Sequence, residues 1–95
     1  MKVHWTDTAA GHLDAIYSYI AQDSQEYAMR MVNKLTCRSQ QIANYPQSGR
    51  TVPEYEIDQI REVIEYPYRI IYHIKADQID ILAVLHGSQN ILRQE

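Results

Sequence analysis

Two arginines and a histidine in the second half of the chain are the side chains best suited to chemistry. Arg61 and Arg69 lie on neighbouring predicted strands, and His86 ends the last apolar run. Two guanidiniums on one face of a hairpin would clamp a phosphate or a carboxylate, and a histidine beside them would act as general acid or base in phosphodiester cleavage. Structural roles are the alternative: an ion pair for each arginine and a loop-fixing hydrogen bond for His86. The acids available for such pairs are Glu54, Glu56, Glu62 and Glu65.

The residue pattern gives little support to metal, cofactor or nucleophile chemistry. His4, His12 and His73 show no short ligand-like spacing, and Cys37 is the only cysteine, so we expect neither a metal site nor a cofactor. No nucleophile-elbow pattern is present. A single cysteine cannot form an intramolecular disulfide, which is typical of a reducing compartment, and we therefore expect a cytoplasmic protein.

The chain has eight tyrosines and no phenylalanine. Tyrosine rings stack on bases or anchor protein interfaces. Base stacking usually comes with basic residues, whereas nine Lys plus Arg against twelve Asp plus Glu leave a net charge of −3 here. We therefore favour protein interfaces or the rim of the core for these rings. The same charge disfavours non-specific nucleic-acid binding, and we expect no specific DNA binding by this chain alone.

Length and composition predict a single folded domain over residues 1–95. The chain has 95 residues, of which 45% are hydrophobic and 22% charged, with three Gly and three Pro. These are ordinary globular values. No window reaches the ~20 apolar residues of a membrane span, so we expect no membrane association.

The first half of the chain has the pattern of two antiparallel helices. Thr6-Asp7-Thr8 can cap the start of one helix, and Ser24 can cap a second helix after a short turn. Apolar residues recur at helical spacing in both segments. The first stripe comprises Ala9, Leu13, Ile16, Tyr17 and Ile20, and the second comprises Ala28, Met31, Val32, Leu35 and Ile42. The second helix should end at Asn44-Tyr45-Pro46, because proline and the residue before it disfavour helix.

The second half has the pattern of a sheet. A loop over residues 46–53 comes first, in which Gly49 is free to take a positive φ. A period of two then predicts strands over residues 57–66, 68–74 and 79–86, in addition to a short first strand at Val3-His4-Trp5. Both faces of the last strand are apolar, which predicts a central position. Arg69, Ile71, His73 and Lys75 share one face of the middle strand, and we expect the functional site on that half-polar face.

These elements predict an α+β fold of order βααβββ, with an antiparallel helix pair on one face of a mostly antiparallel four-stranded sheet. Several segments in this order resemble the RelE/ParE superfamily of type II toxins. They are the helix pair beginning Trp5-Thr6, the Pro46-x-x-Gly49-Arg50 loop with Val52-Pro53-Glu54, Ile60-Arg61-Glu62, Tyr68-Arg69-Ile70-Ile71-Tyr72, and Ile81-Leu82-x-Val84-Leu85-His86. The resemblance covers nearly the whole chain and implies the same fold.

The superfamily divides by target: RelE-like members cleave messenger RNA on the ribosome, and ParE-like members poison DNA gyrase without chemistry of their own. Three features favour the ParE-like branch. The ending Val84-Leu85-His86-Gly87-Ser88-Gln89-Asn90 is similar to that of ParE, both helices are long, and an acidic chain suits a ribosomal RNA site poorly. RelE-like catalysis also uses arginine or histidine together with tyrosine near the last strand. After Val84 this chain offers only His86 and Arg93, and no tyrosine follows Tyr72.

The resemblance therefore implies a toxin that binds DNA gyrase and has no catalytic residues. It also implies a ParD- or RelB-like antitoxin that wraps a disordered segment around the helix pair and sheet edge in a hetero-oligomer. The functional or partner-binding candidates are Arg50, Arg61, Tyr68, Arg69 and His86. Two alternatives stay open. One is a RelE-like ribonuclease with Arg61 and Arg69 on phosphate and His86 in proton transfer. The other is a degenerate, non-toxic member, suggested by Gln89 where the family often has arginine.

Overall fold

Two capped helices follow a short first strand. The structure is a computed structural model that describes residues 1–89. Strand β1 (Lys2–Trp5) leads into helix α1 (Asp7–Ala21) and, after a tight turn, helix α2 (Gln25–Asn44). The Thr6 hydroxyl accepts from the Ala9 N–H and donates to the Ile81 carbonyl at 2.8 Å, so the cap also fastens α1 to the sheet. The Ser24 hydroxyl caps α2, and both predicted caps are confirmed. Within the described residues, neither helix is long and apolar enough to cross a membrane.

Residues 1–89 form a sheet of five strands, one more than the sequence pattern predicts. Strands β2 (Arg50–Thr51), β3 (Ile60–Glu65), β4 (Tyr68–Ile74) and β5 (Gln78–His86) form a sheet of order β1-β5-β4-β3-β2. Among these five strands, β1 alone pairs in parallel, with β5. Helices α1 and α2 connect β1 to the rest of the sheet. Strand β2 has two residues, which is too short to show a period of two. Strand β3 starts later than predicted, because the chain before it turns back with hydrogen bonds to the Val52 carbonyl.

Strand β5 is buried on both faces, as its sequence predicts. It lies between β1 and β4, and its register with β4 skips Leu82, since Ile71 lies opposite Ala83 and Tyr72 opposite Ile81. This bulge turns Leu82 and Ala83 toward the same face. The bulge therefore lets β5 serve two separate apolar clusters.

The larger cluster lies between the sheet and the helices, and the smaller one lies on the opposite face. The helix-side cluster contains Ala9, Ile16, Met31, Leu35, Ile42, Val63, Ile70, Tyr72, Ile79, Ile81 and Val84. The second contains Val52, Ile71, Ala83 and Leu85, with Tyr55, Ile60 and Leu82 packed against them. Val52 and Tyr55 come from the segment between β2 and β3, so this segment covers part of the face that the sequence predicts to be half-polar.

Gly49 is required for space, and the expectation of a positive φ is wrong. Its φ is −79°, which any residue adopts. A Cβ built there would lie 2.5 Å from the Tyr72 hydroxyl and 2.6 Å from the Glu62 carbonyl oxygen. The buried Tyr72 hydroxyl accepts from the Gly49 N–H at 3.0 Å and donates to the Pro46 carbonyl at 2.7 Å. The Pro46-x-x-Gly49 spacing thus lets one tyrosine hold the loop against the sheet.

We expect Gly49→Ala to lower the free energy of unfolding by about 1–3 kcal/mol, because the new methyl group meets backbone that cannot move aside. Gly11→Ala is the matched control. Gly11 lies within α1 with open space around it, so alanine there should stabilise the fold by about 0.5–1 kcal/mol. Urea unfolding of both variants measures the two changes in the free energy of unfolding. Equal changes would contradict the steric explanation.

His12 links α1 to the bulged part of β5. Its Nδ1 accepts the Val84 N–H at 3.2 Å, and a ring nitrogen can accept only when it is unprotonated. Burial lowers the pKa of His12 below its usual value of 6.5. The folded protein therefore binds the proton less readily than the unfolded chain does, and His12 stabilises the fold above the unfolded pKa.

We expect the free energy of unfolding to fall as the pH drops from 7.5 through the lowered pKa of His12, because the unfolded state takes up the proton first. His12→Gln should remove this part of the pH dependence. The free energy of unfolding of the wild type and of His12→Gln, measured between pH 7.5 and 5, tests this prediction. A variant that keeps the full wild-type slope would assign the effect to other groups.

Candidate functional site

Arg69 forms a charge cluster with Arg50, Glu54 and Glu62, called here the Arg69 cluster. Its members are largely buried except for Arg50, whose side chain is 68% exposed. Its Nη1 donates to Glu62 Oε1 at 2.8 Å and its Nη2 to Glu54 Oε2 at 2.5 Å. The Glu62 side chain is fully buried and that of Arg69 is 7% exposed. Arg50 Nε donates to the second Glu62 oxygen at 2.6 Å. Two positive and two negative groups thus neutralise one another.

Strand register explains why these four side chains meet. Arg50 lies directly opposite Glu62 in the β2–β3 pair, and Glu62 lies opposite Ile71, two residues along β4 from Arg69. Side chains two apart share a face, which here is the face away from the helices. Glu54 reaches the cluster from the segment after β2. Arg69 Nη2 also donates to the Gln89 carbonyl, so the cluster joins the end of the described chain to the sheet.

The carboxylates of Glu54 and Glu62 keep the Arg69 guanidinium charged and hydrogen-bonded. Its hydrogen bond to Glu54 is the main cause that raises the pKa of Arg69 above its usual value, and the bond to Glu62 adds to this against the opposing effect of burial. Two carboxylates and a carbonyl occupy its Nη1 and Nη2 atoms. Its Nε is buried and has no acceptor among residues 1–89, so burial keeps this last donor from a phosphate. The structural alternative, an ion pair with nearby acids, is confirmed for Arg69.

Arg61 lies on the opposite face, so the expectation that Arg61 and Arg69 share a face is wrong. Arg61 pairs with Tyr72 in the β3–β4 register, and Tyr72 belongs to the helix-side cluster. Its Nε donates to the Asp58 carbonyl at 3.0 Å and its Nη1 to the Gly49 carbonyl at 2.9 Å. Arg61 therefore holds the backbone at Gly49 and Asp58 in place. Because Arg61 and Arg69 lie on opposite faces, they do not form a clamp for a phosphate or a carboxylate.

Tyr68 and His86 form a second group, on the helix-side face of the sheet. They lie opposite each other in the β4–β5 register, with ring centroids 6.1 Å apart and planes at 80°. Burial raises the pKa of Tyr68, and the nearby Tyr27 and Tyr19 raise it further. Tyr19 is 72% exposed and Tyr27 47% exposed. Tyr19 and Tyr27, on the two helices of the α1–α2 pair, are thus exposed and near enough to Tyr68 to raise its pKa.

The sequence pattern brings some of these residues together and does not single out others. Glu54 and Glu62 are among the acids that it makes available, and Tyr68 and His86 fall on adjacent predicted strands. The pattern does not single out Tyr19 and Tyr27, although their place on either side of a short turn between helices indicates that they lie close together. Arg93 lies outside the described residues. Among residues 1–89, no three His, Cys, Asp or Glu side chains are arranged to hold a metal ion.

Removal of Arg69 should be costly, because it leaves the buried Glu62 paired only with the exposed Arg50. We expect Arg69→Met to lower the free energy of unfolding by about 3–5 kcal/mol. The double variant Arg69→Met/Glu62→Gln should recover part of this loss, since the uncompensated charge is gone. Arg30→Met, at a site whose side chain is 70% exposed, should change stability by less than about 0.5 kcal/mol. Denaturant unfolding measures all three, and an Arg69 variant as stable as the Arg30 variant would refute the structural role.

Comparison with known proteins agrees with this architecture. The sequence profile described as "ParE toxin of type II toxin-antitoxin system, parDE" matches residues 3–91. A solved chain of the chromosomal ParDE TA system from P. aeruginosa superposes with a TM-score of 0.74 at 26% identity, over 90% of this chain and 95% of that one.

Two curated relatives align over nearly their whole length. "Putative toxin Y4kP" of Sinorhizobium fredii is 36% identical over 90 residues, which are 93% of this chain and 90% of the relative. "Toxin RelE2" of Caulobacter vibrioides is 33% identical over 89 residues, which are 93% of this chain and 97% of the relative. The chain therefore belongs to the ParE toxin family of type II toxin–antitoxin systems, within the RelE/ParE superfamily.

Proposed function

We propose that this toxin inhibits DNA gyrase by protein–protein binding in the cytoplasm and that a cognate ParD-like antitoxin neutralises it. A toxin of the type II class has an antitoxin as its partner. The target of the toxin is a separate question from its antitoxin partner. The answer depends on whether the chain is built to cleave RNA or to bind a protein.

The observation that carries the proposal is the state of Arg69. RNA cleavage by this chain would need Arg69 and Arg61 to hold phosphate beside a proton-transferring His86. Arg69 is buried between Glu54 and Glu62, and Arg61 lies on the other face and donates to backbone carbonyls. The groups that this reaction would need are thus engaged elsewhere, which supports binding over cleavage.

We assign the gyrase contact to the aromatic group around Tyr68 and His86. His86 is exposed and Tyr68 is partly exposed, and the exposed rings of Tyr19 and Tyr27 extend the same surface. Aromatic side chains contribute much of the binding energy in protein interfaces. In this proposal Arg69 and Arg61 hold the scaffold. Arg50, whose side chain is 68% exposed, lies on the other face, away from the aromatic group.

Ribosome-dependent cleavage of messenger RNA is the second candidate, because one relative bears the name RelE2. In that function Arg61 and Arg69 would bind phosphate and His86 would transfer protons. It would require Arg69 to leave its two carboxylates. A degenerate, non-toxic member is the third candidate, and Gln89 is the residue that motivates it.

A supercoiling assay with purified gyrase, ATP and plasmid tests the proposal. We expect the wild-type toxin to reduce supercoiling and to accumulate cleaved DNA when covalent complexes are trapped. His86→Ala should weaken the inhibition about tenfold by removing an interface ring. Tyr45→Ala is the control, since Tyr45 is 71% exposed at the far end of α2, and it should inhibit like wild type.

Two outcomes would contradict the proposal. Folded wild-type protein that leaves gyrase untouched but cleaves messenger RNA in a translating extract would establish the second candidate. Folded protein that does neither, and that leaves growth unchanged on expression, would establish the third.

A further inference from the structure

A closed turn follows β5 and holds the backbone on both sides of His86. The Gln89 N–H donates to the His86 carbonyl at 2.9 Å, and the His86 N–H donates to Gln89 Oε1 at 2.7 Å. The Gly87 N–H donates to the Pro67 carbonyl at 2.8 Å, which attaches the turn to the residue before β4. The position of the His86 backbone is therefore fixed by bonds on each side of the residue.

Arg69 joins this turn to the sheet. Its Nη2 donates to the Gln89 carbonyl, and the guanidinium itself is buried between Glu54 and Glu62. Glutamine suits position 89 because its side chain supplies an acceptor for the His86 N–H, which a cationic side chain lacks. The turn is thus anchored to the same cluster that supports the face away from the helices.

The two nitrogen atoms of the His86 ring differ in their surroundings. Nδ1 accepts the Ser88 N–H at 3.4 Å and lies 3.1 Å from the Ser88 hydroxyl oxygen. A backbone N–H can only donate, so Nδ1 is an acceptor and the hydrogen of the neutral ring lies on Nε2. The Ser88 hydroxyl then acts as a second donor to Nδ1. Ser88 therefore favours the tautomer that carries its hydrogen on Nε2.

This tautomer presents a donor group on the surface of the protein. Among residues 1–89, the hydrogen bonds of the His86 ring are those of Nδ1, and the residue is exposed. The ring also packs edge-on against Tyr68, with centroids 6.1 Å apart. Contacts from both Ser88 and Tyr68 restrict its rotation. A donor that is oriented before binding loses little conformational entropy when it meets an acceptor.

We propose that the Nε2–H of His86 donates a hydrogen bond to an acceptor oxygen of gyrase, a carboxylate or a backbone carbonyl, and that Ser88 is the positioning residue that orients it. The inference rests on the proposed function, which assigns the surface around Tyr68 and His86 to gyrase. It adds the atom that binds and the residue that orients this atom. A histidine that only fixed the loop would use Nδ1 and place no demand on Nε2.

Two substitutions of His86 distinguish the ring nitrogens in the supercoiling assay. The amide group of glutamine reaches the position of Nε2, whereas that of asparagine ends near the position of Nδ1. His86→Gln should keep inhibition within about threefold of the wild type, because it retains an outward donor. His86→Asn should lose about tenfold, because it can bond the Ser88 N–H but does not reach the partner. Tyr45→Ala is again the unchanged control.

The role of Ser88 is tested through its dependence on His86. Ser88→Ala should weaken inhibition about threefold, and Ser88→Thr, which keeps the hydroxyl, should recover most of this loss. In protein that carries His86→Ala, the additional change Ser88→Ala should have no further effect, because no imidazole remains to be oriented. Thermal unfolding verifies that each variant is folded.

The tautomer is measured on the toxin alone. A long-range proton–nitrogen NMR spectrum of the histidine rings should show the hydrogen of neutral His86 on Nε2. The spectrum of His86→Gln identifies the His86 signals by their loss. A wild-type ring with its hydrogen on Nδ1 would overturn the inference without reference to gyrase.

The remaining outcomes separate the inference from the proposed function. If the wild type inhibits gyrase and His86→Asn inhibits as well as His86→Gln, the inference is wrong and the gyrase assignment stands. If Ser88→Ala weakens inhibition further in the His86→Ala protein, Ser88 makes a contact of its own and its positioning role is refuted. If folded wild-type toxin spares gyrase, the proposed function fails, and the contact assigned to His86 fails with it.

Discussion

The ion pair between Arg69 and Glu62 is the contact on which one whole face of the sheet depends. Glu62 is fully buried and accepts from Arg69 and Arg50 through different oxygens. Arg69 also donates to Glu54 and to the Gln89 carbonyl. One guanidinium thus joins β4 to β3, to a connecting segment and to the end of the described chain, and Glu62 adds β2 through Arg50. Buried charges are costly unless hydrogen bonds and opposite charges compensate them, so loss of Arg69 would leave the Glu62 carboxylate poorly compensated.

The other organising constraint is that β5 supports apolar clusters on both faces. Its bulge at Leu82 and Ala83 shifts the alternation, so that Ile81 and Val84 pack under the helices while Ala83 and Leu85 pack against Val52. The Arg69 cluster and this second apolar cluster share the face away from the helices. The helix side keeps the larger core, and its rim carries the exposed aromatic groups. The sheet therefore separates the Arg69 cluster, which supports the fold, from the exposed aromatic groups to which we assign partner binding.

This separation bears on function. A toxin that acts by binding needs a rigid body and an exposed, partly apolar surface, whereas phosphate cleavage needs cations free to contact substrate. On the sheet, the Arg69 guanidinium is buried, whereas Arg30 and Lys34 on α2 are exposed and lie 3.9 Å from their carboxylates. Charges committed to structure and charges available to partners are thus distinguished by distance and burial, which residue type alone does not reveal.

Local spacing and an ordered set of motifs predict the order of the two helices and the four longer strands, both helix caps, the central β5 and the superfamily. The two-residue β2, the steric role of Gly49 and the placement of Arg61 and Arg69 on opposite faces become visible only in the folded chain. These features depend on strand register and on which distant backbone approaches a side chain. A single-residue change of register reverses the face of every side chain in a strand, and the linear pattern does not contain that information.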